Sequence, residues 1–162
     1  MPVRGFTRIM APEPNEAVST RRAMLARHIL RLLGLYQLSL GGWFMVLRPP
    51  LLPEDLHYIS QASSGLRTWL DLVFNVMGGQ MAALGCALLI VSRCSLDGLK
   101  RADRTFLLAC GALSALLMAY TNFVLGSNFR WALLIPVALW IAFGATVLAD
   151  RSVLPTSDIG PK

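Results

Sequence analysis

Charge is what this sequence has least of. Only 15% of its 162 residues are Asp, Glu, Lys or Arg, against about 25% in an ordinary water-soluble domain. So few charges cannot wet a whole surface, and the 55% hydrophobic content is far too high for a disordered chain. Both a soluble globular enzyme and a solvated tail are therefore excluded as descriptions of the whole.

Other absences narrow the chemistry. The three cysteines, Cys86, Cys94 and Cys110, contain no Cys-x-x-Cys pair, so a disulfide exchanger lacks its paired thiols. The two histidines, His28 and His57, lie at opposite ends of the first long apolar stretch and cannot face each other across one haem iron. No phosphate-binding Walker loop, Gly-x-Ser-x-Gly or His-Glu-x-x-His is present. Basic residues occur without interleaved aromatics, which gives nucleic-acid binding no support.

What is present is a set of four uncharged stretches, at 32–47, 72–92, 105–129 and 131–149. A helix rises about 1.5 Å per residue, so roughly 20 apolar residues cross a hydrocarbon core of about 30 Å. None of the stretches alternates polar and apolar residues, which excludes membrane strands. The pattern predicts an all-α, integral membrane four-helix bundle with spans at about 29–47, 70–91, 105–126 and 130–149. Residues 1–28 and 150–162 are expected as tails. Arg31 lies inside the first span and can snorkel to the head groups.

Basic residues orient the spans. Twelve of the fifteen Lys and Arg residues lie before the first span, between the second and third, or after the fourth. Arg48, Arg67 and Arg130 remain for the other side. The positive-inside rule then puts both termini in the cytoplasm, with an outer loop at 48–69. Trp43, Trp69 and Trp131 fall at the outer ends of their spans, where amphipathic rings favour the interface.

Helices in lipid associate through close backbone approach and polar contacts. Candidate packing residues are Gly34, Gln37 and Gly41 on the first span, and Gly79 and Gln80 on the second. Gly111 serves the third span, and Ala142, within the stripe Ala138, Ala142, Ala145 and Ala149, the fourth. Gln37 and Gln80 are expected to meet as an amide pair. Pro136 is expected to bend the outer half of the fourth helix.

The outer loop looks ordered. Pro53-Glu54-Asp55 reads as the start of a short helix, and Gly65 as the left-handed residue that follows it. Glu54 and His57 form a Glu-x-x-His, but one such motif is too little for a dimetal site, and no metal or cofactor is expected. The best candidate for chemistry is an outward-facing polar pocket built from Asp71 and Asn75 on the second span, Thr121 and Asn122 on the third, and Arg67 above. No catalytic residue is assigned, because no ionisable group lies near mid-membrane to drive coupled transport.

One segment resembles a known family. Pro53-Glu54, then Asp71, then Gly78-Gly79 and the run Gly85-Cys86-Ala87-Leu88-Leu89 are similar to small bacterial DoxX-like four-helix membrane proteins. The resemblance implies a bacterial inner-membrane (plasma-membrane) location, and an association of relatives with redox or quinone systems. Taken together, the expectation is a non-catalytic accessory or scaffold subunit in contact with membrane lipids and with another membrane protein or a second copy of itself. The alternative is a lipid- or quinone-binding protein or enzyme acting through the pocket around Asp71, Asn75 and Asn122.

Overall fold

The computed structural model describes residues 14–49, 51–53, 55–59, 61, 63–94 and 99–149. Among them every regular element is helical. Helix α1 runs Pro14–Gly42 and continues as a π-helical turn over Trp43–Leu47; α2 is the four-residue turn Asp55–Tyr58. Then come α3 (Ser64–Val91), α4 (Arg101–Val124) and α5 (Leu134–Ala149).

Three helical stretches are long and apolar enough to cross a membrane: Thr20–Leu47, Ser64–Val91 and Arg101–Val124. Their outer faces match that environment. Val46, Val76 and Phe106, with Ile141 on α5, are 63–78% exposed. Such an apolar surface suits acyl chains and not water.

All four long helices start away from the positions read in the sequence: α3 begins at Ser64 against about 70 and α4 at Arg101 against about 105, and the other two shifts change the reading more. Helix α1 begins at Pro14, so residues 14–28, expected as tail, form its first turns. Pro14 occupies the first helical position, where a missing N–H costs nothing, and the good helix formers Ala23, Met24, Leu25 and Ala26 carry the helix onward. Helix α5 is the shorter one, at 16 residues. It starts only at Leu134, so Pro136 sits in the first turn and there is no outer half for it to bend. Ahead of it the chain from 127 to 133 advances through single turns, including Arg130 N–H to Ser127 O (3.2 Å) and Leu134 N–H to Trp131 O (3.2 Å).

The most extensive helix pairing is between α1 and α3. A Cβ added to Gly41 would lie 2.6 Å from both the Ala82 nitrogen and the Gly78 oxygen. One added to Gly85 would lie 2.6 Å from the Leu38 nitrogen and 2.8 Å from the Gly34 oxygen. Gly34 therefore faces Gly85, and Gly41 faces Gly78. The seven-residue spacing is the same on both antiparallel helices. Gly79 is one residue off this stripe, about 100° round the helix, and has no neighbour within 4 Å of an added Cβ.

A second pairing joins α4 to α5. The Trp140 indole covers Gly111 so closely that any side chain there would collide with it. The inward face of α5 is made of Pro136, Trp140, Phe143, Gly144 and Val147. Ala138, Ala142 and Ala145 are exposed, and the Ala149 side chain lies outside those described. Bulky rings win the inside because they fill the space left by glycine on α4.

α1 also packs on α5 and contributes the stripe Ala26, Ile29, Leu30 and Leu33 to a core completed by Leu88, Ala115, Trp140, Phe143 and Val147. Gln37 prolongs that stripe and is 3% exposed. Among the described residues its Oε1 has no hydrogen-bond partner, while Gln80 is exposed. The expected amide pair is not formed, because Gln80 lies on the face of α3 turned away from the Gly78–Gly85 stripe.

A glycine turn closes α4. Gly126 has φ +67°, and the bonds Ser127 N–H to Asn122 O (3.0 Å) and Gly126 N–H to Phe123 O (3.2 Å) complete a Schellman cap. Gly65, by contrast, lies inside the first turn of α3, which Ser63 caps by accepting from Leu66 N–H at 3.2 Å.

Gly41→Ala is expected to lower stability by about 1–3 kcal/mol, since backbone atoms cannot move aside as side chains do. Gly79→Ala is expected to be neutral or to stabilise by about 0.4–1 kcal/mol through a less flexible unfolded chain. Thermal unfolding in one detergent compares the two. In the same assay Gln37→Met is expected to stabilise by about 1 kcal/mol, because it removes a buried oxygen that lacks a partner.

Candidate functional site

α3 is held by α1 and α4 by α5, but α3 and α4 do not form a packed pair with each other. At the end carrying the chain termini of α3 and α4 near Val91 and Arg101, side chains of the common core fill the space between them. Leu84, Leu88 and Val91 from α3, and Leu107, Leu108, Ala112 and Ala115 from α4, share that core. Toward the other end the two helices are left with a half-open cavity of about 700 Å³.

Its walls follow from the helix registers. α1 and its π turn supply Tyr36, Ser39, Leu40, Trp43 and Phe44; α3 supplies Phe74, Met77 and Met81. α4 supplies Leu117, Met118, Thr121 and Asn122. The lining on α4 from Leu117 to Leu125 covers about 12 Å of rise, and that on α1 from Tyr36 to Phe44 a similar depth. That is close to one leaflet of a hydrocarbon core of about 30 Å.

The π turn belongs to the design of this end. Arg48 N–H reaches Trp43 O at 2.8 Å, an i to i+5 bond. Trp43 and Phe44 continue the lining face set by Tyr36, Ser39 and Leu40, and the wider turn ends the helix at Arg48; such turns recur at functional sites. Trp43 packs edge-on against Phe44 (5.0 Å) and tilted against Phe129 (5.6 Å). Ser127 is buried, and its Oγ accepts from Phe129 N–H at 3.2 Å. The turn after α4 thereby sets the Phe129 ring.

One charged pair closes the loop end. Arg48 Nη2 donates to Asp55 Oδ2 at 2.9 Å, and the two side chains are 6% and 23% exposed. Arg48 Nη1 donates to Pro49 O at 2.9 Å. The guanidinium lies over the Phe74 ring, 3.5 Å from its centroid, with the Phe44 ring at 5.7 Å. Asp55 Oδ2 also accepts from Leu52 N–H at 2.8 Å, and Asp55 N–H donates to Leu52 O at 2.9 Å. A proline-rich segment is thus folded back on itself and pinned to α3 through a cation–π contact.

The candidates from sequence are divided by this geometry. Thr121 and Asn122 line the cavity. Asp71, Asn75 and Arg67 are exposed and contribute nothing to it. Asn75 falls about 100° round α3 from Phe74 and Asp71 about 60° to the same side, whereas Arg67, seven residues before Phe74, shares its azimuth but lies two turns nearer the start of the helix, beyond the cavity. The charged residues that do belong to the cavity, Arg48 and Asp55, read in sequence as one of three outer-side basic residues and a helix-start acid. Their signal was a lone arginine ending an apolar span, with an acid beyond a proline-rich turn.

Glu54 and the His57 side chain lie outside the described residues, and among the described residues no three His, Cys, Asp or Glu side chains cluster as metal ligands. Cys86, Cys94 and Cys110 are free and exposed. No family model, curated protein or solved structure matches the chain.

Arg48→Ala removes the clamp and leaves Asp55 with a lost partner, a cost of about 1–2 kcal/mol at a partly exposed pair. Limited proteolysis within 49–59 is expected to quicken about 5–30-fold, the population change that such an energy implies.

Proposed function

We propose that the protein binds a tailed amphiphile drawn from one leaflet of the membrane, tail in the cavity and head at the Arg48–Asp55 end. The observation that carries this reading is the cavity itself: leaflet-deep, walled by leucine, methionine and aromatic side chains, with its charged pair at the loop end. That distribution matches the general form of small-molecule sites, apolar with a few placed polar groups, within the usual range of about 300–1,000 Å³. The gap between α3 and α4, which no helix pairing closes, serves as the lateral route from the bilayer.

Orientation follows from the distribution of basic residues. With twelve of fifteen on the side of the termini, the loop end faces outward and the occupant comes from the outer leaflet. The likeness to DoxX-like proteins supports a bacterial inner membrane as the setting, and four helices packed as a bundle as the architecture. No catalytic step is assigned to any residue.

One observation favours the accessory-subunit reading as a second role. Ala138, Ala142 and Ala145 form an exposed small-residue face on α5, of the kind that lets another helix approach closely. A binding protein with a docking face unites both readings.

Met118→Trp is expected to fill the cavity and weaken retention of a tailed ligand at least tenfold, read by native mass spectrometry from mild detergent. Asp71→Asn and Asn75→Leu are expected to leave retention unchanged. Equal retention by the Met118→Trp and unaltered proteins would overturn the assignment.

A further inference from the structure

We infer that the cavity selects an uncharged head group, bearing hydroxyl or carbonyl oxygens on a single apolar tail; this rests on the cavity being an amphiphile site. Among the described residues that line it, Arg48 and Asp55 alone carry charge, and they are spent on each other at 2.9 Å.

The arginine has little left to offer an anion. Nη1 is bonded to Pro49 O and Nη2 to Asp55, the Phe74 ring covers a face, and the side chain is 6% exposed. A phosphate or carboxylate would have to displace Asp55, whose Oδ2 is also held by Leu52 N–H at 2.8 Å. The displaced carboxylate would then stand beside the incoming anion in a place poor in water, where like charges repel strongly. A free guanidinium favours anions through charge-assisted bonds; a paired and stacked one does not.

What remains for the head is neutral chemistry. The Thr121 hydroxyl lines the cavity near its loop end, while the Ser39 hydroxyl lines it more than two turns deeper than Arg48, on the tail side. Asn122 Nδ2 donates to Met118 O at 2.9 Å, which leaves Oδ1 to accept. The Thr121 hydroxyl and the Asn122 amide oxygen together can donate to and accept from a hydroxyl or carbonyl head.

Size restricts the tail. At about 30 Å³ for each water- or methylene-sized group, the cavity holds on the order of 20 heavy atoms. That is one acyl or prenyl tail with a small head. A two-tailed phospholipid has about twice as many such groups.

The test uses the intact protein in phosphatidylcholine nanodiscs, with quenching of Trp43 by tail-brominated ligands as the readout and Trp43→Phe as the background. A monoacylglycerol is compared with a lysophosphatidate carrying the same brominated tail. The monoacylglycerol is expected to bind at least tenfold tighter, and Asp55→Asn, which frees Arg48, to shrink or reverse that ratio. If lysophosphatidate binds the unaltered protein equally or better, the head-group inference fails while the cavity assignment stands. An unchanged ratio in folded Asp55→Asn overturns the role given to the ion pair, and if that variant does not fold, the comparison in the unaltered protein decides alone. Quenching by neither ligand overturns the cavity assignment itself.

Discussion

Backbone contact between α1 and α3 is the constraint on which the other features rest. Gly34 against Gly85 and Gly41 against Gly78 bring main chain onto main chain, which in lipid supplies the dispersion contacts that the hydrophobic effect cannot. A pairing this close fixes both the rotation and the height of α3 against α1. Rotation decides that Phe74, Met77 and Met81 turn inward while Asp71 and Asn75 turn out. Height brings Phe74 level with Arg48, so that ring and guanidinium stack.

The second glycine contact has the opposite consequence. Gly111 admits the Trp140 ring, which fixes α4 to α5 and commits both to the packed end of the molecule. With α3 bound to α1 and α4 bound to α5, α3 and α4 have no complementary surface at the loop end. Methionine and leucine side chains there meet a cavity instead of one another. The molecule is solid at one end and hollow at the other, and the hollow end holds the paired charges. A buried charge is tolerated where it finds partners, and Arg48 finds a carboxylate, a carbonyl and two rings.

Much of the helical layout could be read from the residues, because long uncharged runs have few alternatives in lipid. α3 runs Ser64–Val91 against an expected 70–91, and α4 runs Arg101–Val124 against an expected 105–126. Facing was harder. The Gly78-Gly79 pair offered two choices for one interface, and nothing in a single sequence says which glycine meets Gly41. That ambiguity of about 100° carried Asp71, Asn75 and Gln80 to the wrong side of the expected contacts. On α5 the alanine stripe suggested a small-residue seam, yet the Gly111 notch on α4 drew in Trp140 and left the alanines outside.

The amino-acid order by itself determined that the chain is helical, that several of its helices suit a bilayer, and where each run of apolar residues stops. Those properties are set by solvation and by local hydrogen bonding, which act residue by residue. Only the tertiary structure decided that Arg48 folds back to Asp55 over Phe74, that Thr121 and Asn122 share a cavity with Trp43, and that Asp71 does not. Such pairings depend on the relative rotation of two helices, a quantity set by contacts between segments far apart in the chain and carried by no single segment alone.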